Sequence, residues 1–336
     1  MAFITGSANS AAELRTALIN ACTANGWVES SGIISKGNAY IKLTAGAQSL
    51  IVYGGTGQTG SNITNGPVIP SGGEVSTVPG GIELWASAAG CPTVITFPAT
   101  YHIHVQESPN EVYCWINYSI SKWAWCAFGQ SPASGVPGTG VWFSGNSPGR
   151  NIVSFARIGP TAGAPGGYSE CLSSCALFWD TAVGTSNIGF SSGNASFIHH
   201  ALDGNSWSVS GTAAGALSGV SWAGFPSVAC AVLPAAPHIA RSPNIWSAES
   251  ILIPIQPHIY RPSAMVSMVG DIAHARYVRL DNYEAGQVVV LGPDAWRIYP
   301  WLERNQAARD AGGLSTTPGQ TTHSGTLGIA IRYDGA

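Results

Sequence analysis

From residue 27 onward the chain is written almost entirely in short segments rich in β-branched and aromatic residues. Each is closed off by Gly, Pro, Ser or Asn. The first half carries "NAYIKL", "SLIVYG", "GIELWA", "VITFPATYHIHVQ", "EVYCWINYSI", "KWAWCAFG" and "GVWFSG". The rest carries "NIVSFARI", "SFIHHAL", "SWSVSG", "ARYVRLD", "GQVVVLG", "AWRIYPW" and "TLGIAIRY". Side chains that branch at Cβ suit a pleated, half-buried surface, and the turn residues stop any of these segments from continuing as a helix. The expected fold class is therefore all-β: β-sandwich-like sheets with one N-terminal α-helix and long Gly/Pro-rich loops.

The helix is predicted in "SAAELRTALINACTANG". Ser10 and Glu13 form a capping box, Leu14, Leu18, Ala21 and Cys22 recur on one face, and Gly26 supplies the stop. A weaker, mostly polar candidate is "WLERNQAARDAGG", residues 301–313. The loops "VIPSGGEVSTVPGG", "SPASGVPGTG" and "GPTAGAPGG" are turn-rich, and no fixed-period repeat suggests a propeller or solenoid. The expected organisation is an N-terminal helix at 1–26 and a first β unit at 27–150. A Gly/Ala/Ser-rich β insertion or second β unit follows at 151–270, and a C-terminal β unit at 271–336.

Charge narrows the setting. Charged residues make up 9% of the chain, against roughly 25% in an ordinary soluble domain. Such a surface is a solubility hazard for a free monomer, so much of it is expected to be covered by neighbouring molecules. Residues 241–336 hold eight Arg and no Lys against eight acids, which suits fixed contacts at interfaces better than a mobile, solvated surface. A net charge of -3 leaves no basic footprint for nucleic acid. Seven cysteines without paired spacing read as free thiols from a reducing compartment. The N-terminus lacks the pattern of a signal peptide, and no apolar run is long enough for a membrane span. Folding in a cytoplasm is expected.

Several constellations bear on chemistry. On a strand, Tyr101, Ile103 and Val105 share one face, while His102 and His104 share the other. Two imidazoles about 6 to 7 Å apart by strand rise can chelate a metal if further ligands join them. The cupin pattern has His-x-His with a Glu three or four residues on. Here only Val105 and Gln106 separate His104 from Glu107, "SPNE" reads as a turn, and no later Pro-x-Gly-x-x-His follows. His102 and His104 are thus weak metal candidates, and the favoured reading is an interface- or solvent-facing pair. His199 and His200 alternate on a strand, so one is expected buried and the other exposed. His238, His258, His274 and His323 have no ligand-like spacing.

Gly55-x-Gly57-x-x-Gly60 is followed by no helix or Walker lysine, so it is read as a flexible loop and not a phosphate site. No Gly-x-Ser-x-Gly elbow is present. Among the sparse acids, Glu83, Glu107, Glu111 and Asp203 stand in no recognisable hydrolase setting. Cys171 and Cys175 are expected to pack and not to bind zinc. Trp115, Trp123, Trp125 and Trp142, with Tyr113, Tyr118 and Phe128, crowd one hairpin. In strands such rings form cores and cross-strand pairs more often than sugar-stacking grooves. No cofactor is expected.

Two stretches carry a more specific likeness. One is "TYHIHVQESPNEVYCWINYSISKWAWCAFGQ…GVWFSG" at 100–145, and the other "GQVVVLGPDAWRIYPWLERN…HSGTLGIAIRYDG" at 287–335. With an N-terminal helix ending in "TANGW", they resemble a family of tailed-bacteriophage virion structural proteins assigned to the tail or baseplate. Tyr101, His102, Val112, Tyr113, Phe128, Gly129, Phe143 and Gly145 match the middle pattern. Trp296, Arg297, Pro300, Gly328, Ile329, Ala330, Ile331, Arg332 and Tyr333 match the end. His104 and the Trp123-x-Trp125 pair depart from the pattern, and the match spans about half the chain.

The resemblance implies a non-enzymatic virion component, folded in the host cytoplasm and held by other virion proteins and copies of itself. It carries no catalytic residues. Trp115, Trp123, Trp125, Trp296, Arg297 and Arg332 are expected to be structural or interface residues. Three alternatives remain: a tail-tip adhesin binding host surface glycan, a capsid decoration protein, and, more distantly, a metal-dependent enzyme at His102 and His104.

Overall fold

A computed structural model describes residues 1–46, 49–67, 81–85, 96–145 (without 121, 137 and 139), 177–178, 196–210 (without 205), 228–230, 252–280 (without 262 and 264), 283–301 and 327–335. The expected strand at "NIVSFARI", the second helix at 301–313, Cys171, Cys175, His238 and His323 lie outside the described residues.

The chain opens with β1 (Ala2–Ala8) and α1 (Ala11–Thr23), then β2 (Val28–Ser30), β3 (Ile33–Lys36), β4 (Ala39–Ala45) and β5 (Ser49–Gly55). A small hairpin follows, β6 (Gly57–Thr59) and β7 (Asn62–Thr64), and then β8 (Gly81–Trp85). The long strands are β9 (Ala99–Gln106), β10 (Asn110–Ser119) and β11 (Lys122–Gln130), followed by β12 (Val141–Gly145). Short strands come next: β13 (Ser196–His199), β14 (Trp207–Ser210), β15 (Val228–Cys230), β16 (Ile253–Ile255), β17 (His258–Arg261) and β18 (Met265–Met268). The last four are β19 (Ile272–Arg279), β20 (Val288–Leu291), β21 (Asp294–Pro300) and β22 (Leu327–Arg332).

These strands make three principal sheets. The central one has the order β1-β9-β10-β11-β12-β13-β14-β15-β17-β18, an N-terminal one the order β2-β3-β4-β5-β8, and a C-terminal one the order β16-β19-β22-β21-β20. Among the described residues the fold is all-β with one helix, as the strand chemistry predicts. The block at 151–270 contributes β13, β14, β15, β17 and β18 to the same sheet as β9–β12, and β16 to the C-terminal sheet. The N-terminal block holds a strand as well as the helix, since β1 pairs antiparallel with β9. Gly55-x-Gly57-x-x-Gly60 departs from the loop reading, because β6 and β7 pair as a hairpin with Gly60 at φ +57 in its turn.

The central sheet is covered on both faces. From β10, Val112, Cys114, Ile116 and Tyr118 join Leu14 and Leu18 of α1 and Ile41, Leu43 and Val52 of the N-terminal sheet in one core. Tyr113 and Trp115 of the same strand enter a second core with Ile272, Tyr277, Tyr299, Ile329 and Ile331 of the C-terminal sheet. Period-two alternation thus sends successive residues into two different cores, and the middle of β10 is buried throughout. The result is three stacked layers around the β9–β12 hairpins.

Local chemistry sets the approach of the outer layers. Ser10 Oγ accepts the Glu13 amide at 3.1 Å, and Glu13 Oε2 takes the Asn9 amide at 2.8 Å, so the cap closes one residue earlier than a standard box. Arg15 Nε donates to the Leu43 carbonyl at 2.6 Å, tying α1 to β4. Gly54 on β5 faces the Phe143 ring so closely that an added Cβ would overlap it. The glycine lets the N-terminal sheet sit on β12.

Candidate functional site

The site that gathers the sequence-predicted residues lies where β9 of the central sheet meets β21 of the C-terminal sheet. On β9, alternation sends Ile103 and Val105 into the first core and His102 and His104 towards the C-terminal sheet. There both imidazoles meet a single phenol: His102 Nδ1 lies 3.0 Å and His104 Nε2 2.9 Å from Tyr299 Oη. His104 is buried and His102 half-buried. Burial, reinforced by the Arg297 guanidinium, lowers the His102 pKa to about 4. Burial, Arg297 and His102 together hold His104 well below the ordinary imidazole range. Both rings are therefore neutral at pH 7.

Arg297 is packed between two rings, 4.2 Å from the centroid of Phe3 and 4.3 Å from that of Tyr333. It joins β21 to the N-terminal strand and to the chain after β22 through cation–π contacts. Trp296, one residue earlier, points the other way into a small core with Val278, Leu280 and Ile298, under the Arg276 guanidinium at 5.3 Å. Arg332 Nη2 pairs with Asp294 Oδ1 at 2.6 Å, and the Arg332 carbonyl accepts Gln106 Nε2 at 2.8 Å. Arg332 thus ties β22 to β21 by its side chain and to β9 by its backbone.

The tryptophans of the hairpin are enclosed. Trp115 stacks on Trp125 with centroids 5.2 Å apart and an interplanar angle of 10°, and on Tyr299 at 5.5 Å. Trp301 covers Trp125 at 5.1 Å, and Trp123 meets the edges of His102 and Tyr299 at 5.8 and 5.7 Å. Trp115 Nε1 donates to the Pro300 carbonyl at 2.9 Å, so its polar end is satisfied inside the core. Rings packed this way join two sheets of one chain and offer no face to a sugar.

Glu111 is the polar centre that sequence reasoning left without a role. It is buried on β10, and four donors converge on it. Ser131 Oγ (2.6 Å) and the Ala273 amide (3.0 Å) reach Oε1, while Tyr113 Oη (2.7 Å) and the His274 amide (2.9 Å) reach Oε2. Ser131 Oγ in turn accepts Trp142 Nε1 at 2.8 Å. Burial pushes the Glu111 pKa up to about 7 in spite of these donors. The available signal was an acid near the start of a strand, followed by the five apolar residues Val112 to Ile116.

The remaining candidates are dispersed. Glu107 turns outward to Lys36 Nζ at 3.0 Å and does not join the imidazoles. Asp203 is gripped by Arg261, with both oxygens at 2.7 Å from guanidinium nitrogens. His200 is buried, with Nε2 2.7 Å from Ser208 Oγ, whereas His199 is half-buried against Trp207. His258 Nδ1 lies 2.6 Å from the Gln256 carbonyl, and His274 is buried beside β10. Cys22, Cys114 and Cys126 are free buried thiols in the first core. Among the described residues, no three His, Cys, Asp or Glu side chains come together as a metal site. No helix among them is long and apolar enough to cross a membrane. A shallow depression between α1 and β9, lined by Glu13, Thr16, Asn20 and Tyr101, contains no catalytic pairing.

The arrangement at β9, β10, β19 and β21 therefore does one clear thing chemically: it fastens two sheets together through buried polar and aromatic contacts. No family model matches the chain, and no curated protein is significantly similar to it.

Proposed function

We propose that the protein is a non-enzymatic structural component of a tailed-bacteriophage virion, in the tail or baseplate, where it contacts other virion proteins and copies of itself. The observation that carries this reading is the placement of its exposed apolar side chains. Of the seven large hydrophobics exposed among the described residues, five sit on terminal strands of sheets: Val28 on β2, Met265 and Val266 on β18, and Val288 and Val290 on β20. A free monomer normally blunts such edges with charge, proline or a covering loop. Left apolar, an edge is a strand-pairing joint, and a chain with few charges has little else to keep copies apart.

A second feature supports the same reading. The two stretches that resemble phage virion proteins are separated by about 140 residues of sequence, yet they meet through Trp115, His102, His104 and Tyr299. Their likeness then concerns one packed unit and not two unrelated segments.

The test is location. Mass spectrometry of purified particles should find the chain at a fixed multiple of the particle symmetry, and immunogold labelling should place it on the tail. Particles that lack the protein overturn the proposal, and labelling over the head moves it to the capsid.

A further inference from the structure

The polar contacts that cross from the central sheet to the C-terminal sheet include one in which a single hydroxyl serves two imidazoles. Tyr299 Oη stands 3.0 Å from His102 Nδ1 and 2.9 Å from His104 Nε2. A phenol has one hydrogen. It can give that hydrogen to one ring and receive a hydrogen from the other, so the bridge is complete only when at least one imidazole keeps a bare nitrogen towards it. We propose that this bridge is an acid-sensitive latch, which holds β21 on β9 while His104 is neutral and releases the C-terminal sheet when both imidazoles are protonated.

The proton count follows from the geometry. A first proton taken by half-buried His102 leaves its Nδ1–H donating to the phenol oxygen, whose hydrogen passes to His104 Nε2. The chain of hydrogen bonds survives. A second proton, on His104, turns both rings into donors at one oxygen and leaves the phenol hydrogen without either acceptor. It also places a buried imidazolium beside a second imidazolium and beside Arg297, a fixed cation held by Phe3 and Tyr333. Unpaired buried charge and an orphaned donor each work against the docked state.

The other groups facing the pair do not offset this. From β21 come Tyr299 and Arg297, and after β22 comes Tyr333, whose ring lies 6.4 Å from His104. From β10, Tyr113 stands opposite His104 in register, and its hydroxyl is already given to Glu111. Cys114 on β10 belongs to the opposite core and is a buried thiol held neutral there. Phe3, Trp115 and Trp123 pack around the pair, and Gly286, two residues after Glu284, lies beside the His102 ring. Glu111, two residues before Tyr113, is spent on the β19 amides. The depressed affinity of both rings for protons, caused by burial and by Arg297, agrees with this geometry.

The consequence is confined to one face. Release of β21 uncovers the Trp115–Trp125–Trp301 stack while leaving α1 and the N-terminal sheet on the opposite core.

The experiment is an acid titration of the 336-residue chain from about pH 8 to about pH 2, followed by near-ultraviolet circular dichroism and tryptophan emission. The wild-type chain is expected to lose the aromatic signal and red-shift reversibly, with a steepness of more than one proton. In the double variant His102→Gln/His104→Gln the midpoint should fall by about one pH unit or more, while His200→Gln leaves it in place. Equal midpoints in the double variant and the wild type overturn the latch. A second measurement needs no variant: nitrogen-15 shifts of the wild-type imidazoles report protonation of His104 directly. If His104 becomes protonated while the aromatic signal stays intact, the proposal is wrong. If the two change together, it stands.

Discussion

Glu111 and Arg276 serve the two polar sides of one irregular stretch of β19. Between Pro254 and Ile255 the partner strand advances one residue while β19 moves from Arg276 to Ile272, which leaves 273–275 out of register. Glu111 takes the amides of Ala273 and His274. Arg276 Nη1 donates to the carbonyls of Ile272 (3.0 Å), Ala273 (2.9 Å) and Ala275 (2.7 Å). A bulge deprives backbone groups of their ladder partners, and here an anion and a cation take them up.

Glu111→Ala should therefore be severe. It strands two amides and two hydroxyls in a buried site, at a cost of about 3 to 5 kcal/mol. Urea unfolding should show the midpoint falling with the slope unchanged. Glu111→Gln keeps the volume and one carbonyl, and should lose about 1 to 2 kcal/mol.

The same carboxyl sets a pH dependence. Its folded pKa, about 7, lies above the ordinary 4.5, so the folded state binds more protons between those values. The stabilising contribution is full below about pH 4.5 and is lost as pH rises through about 7. His102 acts in the opposite sense: its folded pKa, about 4, lies below 6.5, so its contribution is full above 6.5 and lost as pH falls through 4. Stability measured against pH in wild type and in Glu111→Gln should separate the two. The variant should lose the decline between about pH 5 and 7 and show a steeper gain from the histidines.

Arg297→Ala should weaken the join between β1, β21 and the chain end by about 1 to 2 kcal/mol, through loss of two cation–π contacts. It should also raise the pKa of His102, because a neighbouring cation is removed. Nuclear magnetic resonance titration of the imidazole would register that rise, and thermal unfolding the lost stability.

Gly54→Ala should destabilise the stacking of β5 on β12, since the added Cβ meets the Phe143 ring. Overpacking of this kind costs about 1 to 3 kcal/mol. Chemical denaturation would measure it, and Phe143→Leu in the same chain should restore part of the loss.

Val290→Lys addresses assembly. Val290 is 68% exposed on the outermost strand of the C-terminal sheet, so the change should alter monomer stability by no more than about 0.5 kcal/mol. A charged edge resists strand pairing. Light scattering should show weaker self-association, and particles should take up less of the variant than of wild type.

Much of this architecture is legible in the sequence. The cap at Ser10, the helical face of Leu14 and Leu18, and the split of His102 and His104 from Ile103 follow from periods of 3.6 and 2 along one segment. The short strands β2, β3 and β16 are not legible in the sequence, because three or four residues carry too little pattern to stand out. The hairpin of β6 and β7 hid behind its glycines. Glu111 could be singled out only as one of a few acids, since its donors come from residues 113, 131, 273 and 274.

What the sequence determined by itself was therefore local: which segments extend, where they turn, and which side chains share a face. Those properties depend on sterics and on neighbours within a few residues. The tertiary structure decided which faces meet. It buried Trp115, Trp123 and Trp125 under Tyr299 and Trp301, and brought Tyr299 to two histidines nearly two hundred residues away. It also gave one acid the amides of a distant bulge. Those outcomes rest on long-range burial, where apolar area and unpaired polar groups from separate segments must be satisfied together.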